Sequence, residues 1–277
     1  MTLSEALTEA IPRLREAGIE DAPRDARLLL AHACGLGSDR LTLHLGEELP
    51  GRAAQIFAAS ITARMRRQPV SQLIGQRQFW GRTFRVTPDV LDPRPDTETL
   101  IAAALDVPFG TVLDLGTGSG CILLTLLMER PSAMGLGVDF SDAALAVAQG
   151  NCRALGLESR AELRQGSWFA PVDSAFDLIV SNPPYIAAAE MPGLAPEVRD
   201  HEPHMALTDG GDGLGCYRAI VAGAARHLMP NGVLMVEIGP TQAPAVTDMM
   251  VASGLQSPQV IQDMDGRDRV VRAVKPH

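Results

Sequence analysis

The sequence predicts an α/β fold, a mostly parallel seven-stranded sheet with an antiparallel strand, joined to a small N-terminal helical bundle by a β-hairpin. Three observations predict it. From Thr111 onward, short apolar runs alternate with stretches of helical periodicity, the pattern of a parallel sheet covered by helices on both faces. Ahead of that, apolar residues recur at helical spacing through the first quarter of the chain. Between the two, aromatic β-prone runs flank a glycine-containing turn.

Each element has its own signal. Leu3, Leu7, Ile11 and Leu14 define a first helix up to Gly18, with Thr2 and Glu5 at capping-box spacing. Pro12 is expected to kink it or shift its start. Asp21 precedes a second helix carrying Leu28, Leu29, Leu30 and Ala33, stopped by Gly35 or Gly37. A short segment over 41–45 and a longer helix over 53–67 complete a bundle of four or five helices. Gln78-Phe79-Trp80 and Thr83-Phe84-Arg85-Val86 flank Gly81-Arg82 as a hairpin, and Pro88, Pro93 and Pro95 stiffen the connector to a helix starting at Thr97 and Glu98. Strands follow over 111–115, 134–139, 161–164, 176–181, 233–238, 259–263 and 269–274. Helices are expected over 121–129, 143–155, 217–228 and 241–252. The last two strands are separated by a segment too short for a crossover, so they pair antiparallel. The expected domains are 1–75, 76–95 and 96–277.

Composition narrows the class. The 277 residues, 46% hydrophobic and 21% charged, suit a soluble chain with a substantial core. No apolar run reaches the roughly 18 residues needed to span a bilayer, so no membrane partner is expected. Glu5 and Glu9 interrupt any signal-peptide order, and Cys34, Cys121, Cys152 and Cys216 are scattered rather than paired; a cytoplasmic location is expected. A net charge of −9 weighs against direct nucleic-acid binding. Between Pro50 and Pro88, however, there is no Asp or Glu, while Arg52, Arg64, Arg66, Arg67, Arg77, Arg82 and Arg85 all fall there. That stretch reads either as a solvated face or as a surface for an acidic partner or RNA.

Asp114-Leu115-Gly116-Thr117-Gly118-Ser119-Gly120 closes the first strand of the α/β part. Glycines at a βα turn let the backbone approach a ligand closely. A dinucleotide fingerprint needs Gly or Ala where Cys121 stands, so the spacing is instead the tighter turn of S-adenosylmethionine-binding Rossmann-like folds. The alternative is a glycine turn with no ligand. Asp139 ends the second strand, about 20 residues past the glycines, where a carboxylate can accept from both ribose hydroxyls. Taken alone, Asp139 or Ser141 also serves as a helix N-cap. Trp168, after the third strand, can lie against an adenine ring or fill the core.

Asn182-Pro183-Pro184-Tyr185 sits at the carboxyl end of the strand over 176–181, the sheet edge where such folds bind ligands. Two prolines force the chain out of the sheet. The Asn182 side-chain carbonyl and the Pro183 carbonyl could accept both hydrogens of a planar amino group, with Tyr185 beneath as a flat face. This points to a nitrogen methyltransferase. The other reading is a strand-end turn with a buried Tyr. No clustered metal-ligand set is visible; His201 and His204 are three residues apart and suit loop packing, so no metal is expected.

With these parts in register the chain resembles the HemK/PrmC family, protein-(glutamine-N5) methyltransferases that act on class I peptide chain release factors. The resemblance runs nearly the full length. It includes Phe79-Trp80-Gly81, Pro93-Arg94-Pro95-Asp96-Thr97-Glu98, Asp114 to Gly120, Asp139, Asn182 to Tyr185, Glu202-Pro203, Ala206-Leu207 and Gly211-Asp212-Gly213-Leu214. It implies that Gly116, Thr117, Gly118, Ser119, Gly120, Asp139, Trp168 and Asn182 contact S-adenosylmethionine, and that Asn182, Pro183, Pro184 and Tyr185 hold the glutamine amide. On this reading Asn182, Pro183 and Tyr185 are the catalytic set, and the helical domain docks the substrate. Asp92 departs from the family, which usually has an apolar residue before Pro-Arg-Pro. Two rivals stand beside this reading: a methyltransferase of exocyclic amino groups in rRNA or DNA, since a flipped base presents the same –NH2, and a non-catalytic scaffold of the same fold.

Overall fold

A computed structural model describes residues 1–277, and by contact the chain divides into two units. The first comprises Met1–Gln76 and, unexpectedly, the distant segment Ala195–His201. Its helices are α1 (Leu3–Glu16), α2 (Ala22–Ala33), α3 (Gly51–Met65) and α4 (Val70–Ile74), with a 3-10 turn at Leu41–His44. The capping box forms as expected: Glu5 N donates to Thr2 Oγ1 at 3.2 Å and Thr2 N to Glu5 Oε2 at 2.8 Å. Pro12 neither shifts nor ends α1. It lies on the exposed face together with Thr8, four residues before it, so the helix bond that Pro12 cannot make falls on the solvent side. Leu7, Leu14, Leu29, Leu30, Phe57 and Ile61 form the core of this unit.

Much of the arginine stretch is neutralised within the fold. Arg64 is buried in α3, and its guanidinium meets Asp25 at 2.7 Å and Glu197 at 3.0 Å. Arg67 reaches Glu197 at 3.2 Å and donates to the Gly18 carbonyl at 2.6 Å. The main-chain oxygen of His201 accepts from Gln72 Nε2 at 2.9 Å, and its ring Nε2 lies 3.0 Å from the Arg66 carbonyl. The two arginines therefore anchor 195–201 to the helices. Arg52, Arg66 and Arg85 remain exposed.

The second unit, Arg77–Leu194 with Glu202–His277, begins with the hairpin β1 (Gln76–Phe79) and β2 (Arg82–Arg85). Its turn is Trp80-Gly81, one residue earlier than expected, with φ of +49° and +69°. Positive φ at both central residues matches the right-handed twist of the strands. Trp80 tolerates it because Glu98 Oε1 accepts from its main-chain N–H at 2.8 Å and Glu129 Oε1 from its indole at 3.2 Å.

A seven-stranded sheet follows, built from β3 (Thr111–Leu115), β4 (Met134–Asp139), β5 (Ala161–Gln165), β6 (Phe176–Ser181), β7 (Leu228–Glu237), β8 (Gln256–Gln262) and β9 (Asp268–Val274). Their spatial order is β5-β4-β3-β6-β7-β9-β8; the first five run parallel, while β9 is antiparallel to β7 and to β8. Helices α5 (Glu98–Leu105), α6 (Cys121–Glu129), α7 (Asp142–Ala154), α9 (Gly215–His227) and α10 (Ala243–Ala252) cover it, and α8 (Pro196–Arg199) belongs to the other unit. The central strands alternate between two cores. Val112, Leu178 and Met235 pack with α5, α6, Phe79 and Phe84, whereas Leu113, Ile179 and Leu234 pack with α9 and α10.

Two strands exceed expectation. β7 starts at Leu228, because a register shift opposite Phe176 and Leu178 and the positive φ of Asn231 absorb the apparent breakers Pro230 to Gly232. β8 begins at Gln256, and its Pro258 is tolerated because the strand is at the sheet edge. No helix is long and apolar enough to cross a membrane.

Candidate active site

Leu115 and Ser181 are partners in parallel register at the carboxyl ends of β3 and β6. The chain runs outward from β3 through β4 to β5, then returns to place β6 on the other side of β3. Connections leaving β3 and β6 therefore diverge, which opens a crevice at that rim. A cavity of about 490 Å³ lies there. Both sequence motifs that carry chemistry are the loops leaving these two strands.

The first loop turns tightly, with Gly116, Gly118 and Gly120 at φ of +73°, +55° and +80°. A Cβ on Gly116 would meet no atom within 4 Å, so this stretch of backbone has an open side. Beneath it, Thr117 Oγ1 donates to the fully buried Asp114 at 2.7 Å; burial pushes the Asp114 carboxyl up to about 7, against the pull of that bond. The Ser119 carbonyl accepts from Asn151 Nδ2 at 2.8 Å, and Asn151 also brackets the backbone of Arg85. Thr117 and Ser119 are thus braces of the loop, and both also line the cavity.

Asp139 closes the loop from the next strand. Its Oδ2 accepts from Gly118 N at 2.8 Å and its Oδ1 from Ser141 N at 2.9 Å. Ser141, not Asp139, is the side-chain cap of α7, accepting from Ala144 N at 3.2 Å. Each carboxylate oxygen retains a second lone pair, and Asp139 lines the cavity. Trp168 packs against the second core and also lines the cavity. The adjoining Phe140, missed in the sequence, also lines the cavity and is 66% exposed.

Of the tetrapeptide, Asn182 and Pro184 line the cavity; Pro183 is buried, and Tyr185 packs against the second core instead of standing on the cavity wall. Burial pushes the Tyr185 phenol up to about 12. Asn182 Nδ2 donates to Thr97 Oγ1 at 3.3 Å, which leaves Oδ1 without a donor from the protein. At the end of β7, burial pushes the carboxyl group of Glu237 up to about 7, while Thr97, Arg269 and Arg94 pull it down.

The loop's backbone is held by residues far away in sequence. Gln242 Nε2 donates to the carbonyls of Tyr185 at 2.9 Å and Gly213 at 3.2 Å. A Cβ on Gly213 would come within 2.4 Å of the Tyr185 carbonyl oxygen, at a φ of +76° that already favours glycine. Asp209 gathers that neighbouring loop by accepting from the N–H groups of Gly211, Gly213 and Gly215. Arg94 Nη2 lies 2.8 and 2.6 Å from the two oxygens of Glu202, whose carboxyl is pushed up to about 7 by burial in spite of that arginine. Asp92 is also buried; its carboxylate is 3.7 Å from Arg77, so the charge at this unusual position is compensated locally.

The donor set can therefore hold a nucleoside: a carboxylate, an exposed loop backbone and aromatic rings on one cavity. Comparison with known proteins agrees with this chemistry. The PrmC N-terminal domain matches residues 5–75, and the methyltransferase small domain matches residues 92–212. The release factor glutamine methyltransferase of Cereibacter sphaeroides is 59% identical over 276 residues, covering 100% of this chain and 99% of that one. The corresponding protein of Rhodospirillum rubrum is 45% identical over 276 residues, covering 99% and 85%. A methyltransferase structure from Pyrococcus furiosus superposes with a TM-score of 0.56 at 16% identity, covering 72% of this chain and 91% of that chain, a likeness of fold. The fold is thus that of the Rossmann-like methyltransferases, and by full-length identity the chain belongs to the release factor glutamine methyltransferase family.

Proposed function

We propose that this protein transfers a methyl group from S-adenosylmethionine to the side-chain amide nitrogen (N5) of the glutamine in the Gly-Gly-Gln motif of class I peptide chain release factors. The observation that carries the reading is Asn182, placed on the cavity with its Oδ1 free to accept and its Nδ2 already engaged. The residues present fit the cofactor: Gly116 to Gly120 supply open backbone, Asp139 two ribose acceptors, and Trp168 with Phe140 aromatic surface for the adenine. Bound there, S-adenosylmethionine supplies a sulfonium methyl carbon that is strongly electrophilic.

An amide nitrogen is a feeble nucleophile, because its lone pair is shared with the carbonyl. Asn182 Oδ1 and the Pro183 carbonyl would together accept its two hydrogens and so fix the orientation of the nitrogen toward the cofactor site. The same acceptors stabilise the positive charge that grows on nitrogen. Neither takes up a proton at neutral pH, so the nitrogen loses its proton to water after transfer. Pro184 gives the turn its stiffness, and Tyr185 packs behind it. No step calls for a metal. The helical unit docks the protein substrate, and the reaction belongs to the cytoplasm, in keeping with four unpaired cysteines.

A radiolabel-transfer assay tests this by offering release factor, rRNA and DNA side by side. Label is expected on the release factor alone. Label on either nucleic acid would favour an exocyclic-amino methyltransferase, and none on any would favour a scaffold.

A further inference from the structure

We propose that Phe169 is a positioning residue: seated in a slot of α9 made by Gly223 and His227, it holds the Trp168 indole on the cavity. Affinity for the purine ring of the cofactor then depends on a contact made outside the cavity wall. The inference rests on the reading of Trp168 as surface for the adenine. Trp168 needs such a hold. It stands at φ +50°, in the left-handed region where a large side chain is strained. Backbone of that kind persists only where its surroundings fix it. Of the adjacent pair, Trp168 lines the cavity and Phe169 does not.

Helix α9 carries the mark of this contact. Gly223 is a helix-interior glycine between Ala222 and Ala224, where alanine would favour the helix. The reason is Phe169. A Cβ on Gly223 would stand 2.5 Å from Cε2 of that ring and closer still to Cδ2. One turn on, the His227 imidazole stacks on the same ring, with centroids 4.5 Å apart and planes 12° from parallel. The imidazole is itself fixed, since its Nδ1 lies 2.9 Å from the Gly223 carbonyl. The ring of Phe169 is thus gripped by two successive turns of α9. Its main chain is closed as well: Ala170 N donates to the Ser167 carbonyl at 3.0 Å and Val172 N to the Phe169 carbonyl at 2.9 Å. At the neck of the loop Gly166 admits the Pro171 ring, where a Cβ would come within 2.6 Å of Pro171 Cδ. With Phe169 pinned and the loop over 166–172 closed, the backbone at Trp168 cannot relax out of the left-handed region, and the indole stays at the cavity.

Gly223→Ala fills the slot with a residue that favours the helix. With Phe169 displaced, the Kd for S-adenosylhomocysteine in calorimetric titration should rise at least about fivefold, the effect of losing one base–aromatic stack. On release factor at saturating cofactor, kcat should stay within about threefold of wild type. Trp168→Leu should weaken binding at least as much as Gly223→Ala. The two losses should not multiply: the double variant should bind within about twofold of Trp168→Leu, because Phe169 acts through the indole. A wild-type Kd in Gly223→Ala, or multiplied losses in the double variant, would overturn the proposal. If Gly223→Ala does not fold, Phe169→Leu, which empties the slot of its ring, carries the same cycle with the same expected results. Wild-type affinity in Trp168→Leu would also overturn it, by removing the adenine contact on which it rests. Fluorescence without ligand separates the two failures. The emission of Trp168, identified by its loss in Trp168→Leu, should shift to the red in Gly223→Ala as the indole leaves the core. An unshifted spectrum would refute the hold by Phe169 whatever the indole binds.

Discussion

Gln242 Nε2 donates to the main-chain carbonyl of Tyr185 at 2.9 Å, so the residue that precedes α10 grips the turn leaving β6. The same amide donates to the Gly213 carbonyl, while its Oε1 accepts from Gly239 N at 3.0 Å and from the Tyr217 hydroxyl at 3.2 Å. Those four bonds use the full capacity of a carboxamide. Gln242→Leu keeps the volume and orphans its partners. The expected result is a loss of about 1–3 kcal/mol of stability in urea unfolding, with a lower kcat and a cofactor Kd changed less than threefold. Unaltered stability would mean that water replaces the amide and that the grip is incidental.

Such a contact shows why parts of the site were legible in the sequence and others were not. The glycine loop and the Asn-Pro-Pro-Tyr turn are local: their chemistry and backbone constraints lie in consecutive residues at strand ends. Asn182 and Thr97 are 85 residues apart, and Gln242 and Tyr185 57, with no periodicity or composition to link them. Strand and helix alternation revealed the sheet for the same local reason, but it could not show that Ala195–His201 packs with the helices of the other unit. Charge behaved likewise. The arginine-rich run was visible, whereas the carboxylates that neutralise Arg64 lie 39 and 133 residues away.

Arg64 and Arg66 should consequently behave in opposite ways. Arg64→Glu would bury a carboxylate against Asp25 and Glu197 and is expected to cost at least about 3–5 kcal/mol, unfolding the helical unit. Arg66 is exposed, so Arg66→Glu should leave stability within about 0.5 kcal/mol. If the helical unit docks release factor through this face, Arg66→Glu raises KM at low salt, and the effect fades as salt screens it. Thermal melts and salt-dependent kinetics on the two variants check both halves. Equal stabilities would contradict the anchoring role of Arg64.

Glu237 gives a pH-dependent prediction of definite sign. Burial raises its carboxyl from 4.5 to about 7. Between those values the folded chain keeps a proton that the unfolded chain has released, so this group removes stability as pH rises through the window. The change is on the order of 3 kcal/mol, complete above about pH 7. Glu237→Gln cannot ionise and lacks the effect. Relative to wild type, its stability should therefore improve from pH 4.5 to pH 7.5, as read from urea unfolding at several pH values. A difference that does not vary with pH would place the Glu237 titration outside this range.

Asn182→Ala and Asp139→Ala should separate acceptance of the nitrogen from retention of the nucleoside. Asn182 makes a single 3.3 Å bond within the protein, so its truncation leaves the fold intact. On the proposed function its free Oδ1 accepts from the amide nitrogen as charge develops there, and losing one such preorganised partner is expected to lower kcat on the order of a hundredfold or more. Asp139→Ala frees the N–H groups of Gly118 and Ser141 and removes the two acceptors proposed for the ribose, so its defect should fall on cofactor affinity. Calorimetric titration with S-adenosylhomocysteine and single-turnover methylation of release factor, run on both variants, give the pattern. Tight binding without transfer is expected for Asn182→Ala. For Asp139→Ala, binding should weaken, and transfer should return at saturating cofactor. An Asn182→Ala enzyme that methylates at the wild-type rate would show that some other group aligns the nitrogen.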